Sequence, residues 1–119
     1  EVKLPDTVTS VGENAFAFSG IEKLALSKGI QKLPHQVFLY ADLKAVYIPK
    51  SVTSIELSAF ENCYKLKDIY YSGSEADWAN MKVESDGNEA LTKATIHYNA
   101  SVSDLGLTEE FSLLSMLGL

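Results

Sequence analysis

The chain contains no arginine; its ten cationic side chains are all lysine, and sixteen carboxylates bring the formal net charge to −6. Nucleic-acid binders need a basic stripe and usually arginine for bidentate contact with phosphate or guanine, so that class is set aside. The acidic balance points to solubility instead. There is one cysteine, Cys63. No disulfide can form within the chain and no cysteine-rich metal site exists, so cysteine usage leaves the compartment open. Histidine is confined to His35 and His97, without H-E-x-x-H spacing, and no glycine-rich phosphate loop is present. No apolar run approaches the roughly 20 residues of a membrane span, so the chain is not expected to span one. The opening EVKLP has neither a basic leader nor an apolar core. It reads as the interior of a repeat, which suggests a piece of something longer.

What the chain has is periodicity. The stretch 48–73 carries an apolar skeleton of Ile48, Val52, Ile55, Phe60, Leu66, Ile69 and Tyr71. Shifted back by 22 positions, the skeleton is met again as Leu26, Ile30, Leu33, Phe38, Leu43, Val46 and Ile48. A second shift gives Leu4, Val8, Val11, Phe16, Ile21, Leu24 and Leu26. The anchors Leu4, Leu26, Ile48 and Tyr71 lie 22, 22 and 23 residues apart, the extra residue falling between Phe60 and Leu66. A fixed period of this size marks a solenoid, whose core runs along an axis with each coil touching its neighbours.

Each repeat holds two kinds of segment. Leu43–Ile48 and its equivalents alternate apolar and polar residues at strand period, with Val46 and Ile48 inward and Tyr47 outward. The second segment, typified by Val52-Thr53-Ser54-Ile55, spaces its apolar residues three apart; it fits either a short strand or one helical turn. Phe16, Phe38 and Phe60 then recur in one column, predicting an aromatic spine in the core.

LPDTVTSVGENAF, IPKSVTSIELSAF and FENCYKLKDIYY resemble the leucine-rich repeats of the BspA-like family, whose repeat runs L-x-x-I-x-I-P-x-S-V-T-S-I-G-x-x-A-F-x-x-C. The resemblance covers residues 1–73. It implies a curved leucine-rich-repeat solenoid, a right-handed superhelix with strands on its concave face, β-rich with short helical turns. It also implies an extracellular or cell-surface bacterial protein used for adhesion or other protein contact. The middle copy departs most: it has Ser27 in place of the proline, and Pro34 where the others have Gly12 or Glu56, so a local change of backbone is expected there.

Residues 74–99 break the period and resemble the segments that close such arrays. Ser74 is placed to cap a short helix, with Asp77 as its capping-box partner. Trp78 is the candidate lid over the last coil; a ligand-stacking ring is the rival reading. A turn at 85–88 follows, then a strand pattern over Leu91–Ile96 extended by Tyr98. Glu84, Asp86, Asn88 and Glu89 faintly suggest calcium, but the EF-hand order is missing and a solvated acidic turn is the simpler reading. Residues 100–119 read as a linker followed by a short amphipathic helix, capped at Thr108, with Phe111, Leu114 and Leu117 on one face. A helix this short needs a surface to pack on, so self-association through 108–119 is one expectation. Asn99-Ala100-Ser101 is a glycosylation sequon, relevant only in a eukaryotic secretory host.

No constellation for catalysis emerges. Cys63 sits in the F-x-x-C column as a small buried hydrophobe with no base nearby in sequence. No cofactor is implied. The outward strand positions are the remaining candidates: one column of Lys3, Ala25, Tyr47, Tyr70 and then Thr95, a second of Glu1, Lys23, Ala45 and Asp68, a third of Glu22, Lys44 and Lys67. The expected concave binding face is therefore Lys3, Lys23, Lys44, Tyr47, Lys67, Asp68 and Tyr70, since tyrosine beside lysine suits contact with a protein or glycan. The competing expectations are an inert spacer between domains and, least supported, an enzyme.

Overall fold

In the computed structural model, which describes residues 1–107, the 22-residue period becomes strand pairing. The elements in chain order are β1 (Val2–Lys3), β2 (Lys23–Ala25), β3 (Lys32–Leu33), β4 (Ala45–Ile48), β5 (Ser54–Ile55) and β6 (Asp68–Tyr71). Then come α1 (Glu75–Ala79), β7 (Lys82–Val83), α2 (Glu89–Lys93), β8 (Thr95–His97) and a 3-10 turn, Val102–Leu105. They build two parallel sheets, β1-β2-β4-β6-β8 and β3-β5-β7. Each strand pairs with its equivalent one repeat away: Leu24 opposes Val2 and Val46, and Ile69 opposes Val46 and Ile96. The second segment, open between strand and helical turn, is a strand in the second and third repeats.

The fold is β-rich with few short helices, and both α-helices of the described residues lie after residue 74. The arcs 13–18, 35–40 and 57–62 are turns. Two positions of each arc have left-handed backbone: Asn14, Gln36 and Ser58, then Phe18, Tyr40 and Asn62, all with φ between 54° and 60°. Such residues end an i→i−4 ladder before it starts. Backbone bonds then alternate in direction. Val37 N–H and Leu39 N–H stay within their arc, on Pro34 O and Gln36 O, while Phe38 N–H and Tyr40 N–H reach Ala59 O and Glu61 O of the next. Coils are thereby stitched along their whole circumference.

The local change expected in the middle copy is absent. Ile30 N–H bonds Ser27 O just as Val8 N–H bonds Pro5 O and Val52 N–H bonds Pro49 O. This turn uses only the carbonyl at that position, which serine supplies as well as proline does. Ser27 Oγ further donates to Val8 O on the preceding coil.

Phe38 and Phe60 are fully buried, and Phe16, on the first coil, is half-buried. Phe16 stacks on Phe38 at 5.8 Å and Phe38 meets Phe60 at 4.9 Å between ring centroids. The aromatic spine thus runs through the aliphatic core of Leu24, Leu33, Val46, Ile48, Ile55 and Ile69.

At the far end Ser74 and Asp77 form the reciprocal capping box that starts α1. Trp78 lies edge-on against Tyr71 at 5.1 Å, half-buried beside the core. The strand expected over Leu91–Ile96 begins only at Thr95, because α2 takes residues up to Lys93 and buries Leu91 in the core instead. Gly87 has φ +74°, and a Cβ there would lie 2.7 Å from the Ser58 Cα, so only glycine fits this turn against the last coil.

Asn88 departs from the solvated-turn reading. It is 3% exposed, whereas Glu84, Asp86 and Glu89 are open to solvent. Its Oδ1 accepts the Phe60 N–H at 2.9 Å, and its Nδ2 donates to Glu56 O at 2.9 Å and Glu84 O at 2.7 Å. Phe16 and Phe38 satisfy the same N–H with carbonyls of the next coil, Val37 O and Ala59 O. At the last coil the Asn88 amide takes that place, which ends the ladder without an orphaned donor. The helix expected from Thr108, and any self-association through it, lies outside the described residues.

Candidate functional site

Alternation sends Val2, Leu24, Val46, Ile69 and Ile96 into the core, leaving the residues that flank them in each strand on the outer face of the five-stranded sheet. Parallel register then stacks them. Lys3 opposes Ala25, Ala25 opposes Tyr47, and Tyr47 opposes Tyr70. The next member is His97, not Thr95; Thr95 opposes Asp68, extending the column of Lys23 and Ala45. The slip is two residues, which keeps every side chain on its expected face, so alternation alone does not reveal it.

The third column is held by backbone: Lys44 N–H bonds Glu22 O and Lys67 N–H bonds Lys44 O. Lys44 Nζ also meets Glu22 Oε2 at 2.6 Å. Hydrogen bonding and charge together hold the Glu22 carboxyl below its ordinary range and the Lys44 ammonium above its own. Lys3, Lys44 and Lys67 are exposed, while Lys23, Tyr47, Asp68 and Tyr70 are half-buried.

The half-burial has a cause that composition conceals. Residues 100–107, expected as a linker, fold back over this face. Ser101 and Asp104 form a capping box on the 3-10 turn, with Ser101 N–H on Asp104 Oδ2 at 2.8 Å. Leu105 is 3% exposed and clusters with Ala25 and Ala45, ringed by Tyr47, Tyr70, Val102 and Leu107. Lys23 Nζ donates to Gly106 O at 2.8 Å. His97 stacks on Tyr70 at 4.6 Å, nearly parallel, and its Nε2–H donates to Asp68 Oδ1 at 2.8 Å. Burial, then the neighbouring carboxylates Asp68 and Asp104, push the Tyr70 hydroxyl above its ordinary pKa.

A second feature escaped the sequence reading. Phe18, Tyr40 and Tyr64 are 71%, 47% and 80% exposed and form a ladder on the arcs. Phe18 stacks on Tyr40 at 5.4 Å, and Tyr40 meets the edge of Tyr64 at 6.3 Å. Phe18 and Tyr40 share a repeat column whose third member is Asn62; Tyr64 supplies the ring and donates its O–H to Asn62 Oδ1 at 2.7 Å. The signal was present as two aromatics 22 residues apart beyond the core phenylalanine.

Cys63 and the histidines are engaged separately. Cys63 is buried and its Sγ–H donates to Phe38 O at 3.0 Å. Burial pushes its thiol up to about 12. His35 Nδ1–H donates to Leu57 O at 2.9 Å. A depression of about 140 Å³ beside Cys63 is lined by Asn62, Tyr64, Leu66, Glu89, Ala90 and Lys93, with no histidine. The native thiol should stay unmodified by iodoacetamide at neutral pH while the unfolded chain is labelled fully, because alkylation needs thiolate; mass spectrometry of the two reactions checks this.

Register-matched parallel strands and a repeating aromatic column define a β-rich repeat protein. The model of the BspA type leucine-rich repeat region, a family description of six copies, matches residues 1–82, and the chain belongs to that family. Such arrays are interaction or structural modules. No curated protein matches the chain. Among solved structures, it is similar to a leucine-rich cell-surface protein from Faecalibacterium prausnitzii A2-165, with 25% identity and a TM-score of 0.42. That similarity covers 71% of this chain and 35% of the other, so the chain spans about a third of that protein's length. No helix among the described residues is long and apolar enough to cross a membrane.

Proposed function

We propose that this chain is a non-catalytic interaction module of a cell-surface or secreted protein, binding a protein or glycan through the outer strand face. In this reading the stacked repeats form a solenoid, a right-handed superhelix, and that face is its concave side. The observation that supports it most is the register that gathers Lys3, Lys23, Lys44, Lys67, Asp68, Tyr47 and Tyr70 on one surface. Rigid, closely stacked strands hold such residues in fixed positions, which limits the ordering entropy of binding. The family membership supports the same reading and the surface location. The fold-back of residues 101–107 over the middle of the face favours a second reading, an inert spacer between domains.

Screening the chain on a glycan array and a panel of purified extracellular proteins separates the two. Interactions through the outer face should weaken by about tenfold in Lys44→Ala/Lys67→Ala, which removes two exposed cations without touching the core. Lys50→Ala, on an exposed turn outside the sheets, should leave them intact. If the screens return no interaction, the spacer reading stands; if every interaction survives the double substitution, the outer face is not the contact surface.

A further inference from the structure

The outer face already holds a ligand of a sort. Two alanines, Ala25 and Ala45, stand in adjacent columns, where Tyr47 follows Ala25 and Asp68 follows Ala45 on the next coil of each. Small side chains there leave a notch beside Tyr47, and Leu105 fills it. The rest of the contact is polar at its ends. Lys23 Nζ grips the Gly106 carbonyl, and the Ser101–Asp104 capping box pre-forms the turn that presents the leucine. Asp104 lies close enough to Tyr70 to act on its hydroxyl, on a face that also carries Lys3, Lys23, Lys44 and Lys67.

We infer that this notch is a docking site for an acidic, leucine-bearing turn, and that residues 101–107 occupy it in cis as a strap. This rests on the reading of the outer face as a contact surface. A partner would present a leucine in a tight turn beside a carboxylate, with a free carbonyl for Lys23. It would enter only as the strap leaves. A tethered occupant competes at an effective concentration on the order of millimolar, so the closed chain turns away weak ligands and admits strong ones.

The probe is a fluorescein-labelled peptide of residues 100–107, ASVSDLGL, added to the full chain and followed by anisotropy. Wild-type chain should bind it weakly. Leu105→Asp releases the strap and should bind it at least about tenfold more tightly, with faster hydrogen exchange across 101–106. Lys23→Ala loosens the strap but removes part of the notch's own grip, so its hydrogen exchange should rise without the full gain in peptide affinity. Adding Ala45→Leu to Leu105→Asp fills the notch and should abolish the gain. Equal affinity in wild type and Leu105→Asp, or a gain that survives Ala45→Leu, overturns the inference. Because the peptide is the chain's own, this outcome is independent of the array screen, where Lys44 and Lys67 decide.

Discussion

Phe38→Ala is expected to lower the unfolding free energy by about 3–5 kcal/mol, the range for emptying a phenylalanine site in a closed core. Phe38 is fully buried with a ring on each side, at 5.8 and 4.9 Å, and the coils that carry those rings are hydrogen-bonded to its own backbone, which limits their collapse into the space. A domain of ordinary stability has about 5–15 kcal/mol in total, so the variant should sit near the edge of folding. Phe16→Ala should cost clearly less, since its ring is half-buried and has a neighbour on one side only among the described residues. Urea denaturation of the two variants reads the difference. Equal losses would mean that the stack is not the unit of stability.

Asn88→Ala should cost about 2–4 kcal/mol. It leaves the buried Phe60 N–H without its acceptor and Glu84 O without the amide donor, while Glu56 O keeps the Ala59 N–H; stranded groups cost about 1–3 kcal/mol each when water cannot reach them. Asn88→Asp is the sharper test. It keeps an acceptor for Phe60 N–H but turns a donor into a carboxylate oxygen facing two carbonyls, so at neutral pH it should destabilise more than alanine does. Native-state hydrogen exchange should show the Phe60 amide losing protection in Asn88→Ala and keeping more of it in the aspartate variant, relative to each variant's global stability. A loss under about 1 kcal/mol for alanine would show that water replaces the amide freely.

These two residues illustrate different degrees of legibility. The phenylalanine column needed only spacing, because a repeat that stacks must place equivalent side chains over one another. Asn88 stands outside the repeats and has no equivalent to align with. Its role exists only because the last coil lacks a successor to supply a carbonyl. The same holds for His97: the two-residue slip that carries it beside Tyr70 in place of Thr95 preserves alternation, so it leaves no trace in hydrophobic pattern. The backbone of the arcs was not legible for a related reason. Left-handed backbone recurs at Asn14, Gln36 and Ser58 and at Phe18, Tyr40 and Asn62, residues of differing local propensity that share only a repeat column, and Phe18 and Tyr40 bond Leu39 O and Glu61 O of the next coil.

By itself, then, the order of residues determined the period, the inward and outward faces, the aromatic spine and the family, because all four are consequences of spacing repeated three times. Only the tertiary structure decided what lies on the outer face. Leu105 and Tyr47 are far apart in the chain, and nothing local in ASVSDLGL announces that it folds back. Two alanines in adjacent columns make room for it, and such a vacancy exists only once the strands have come together in register.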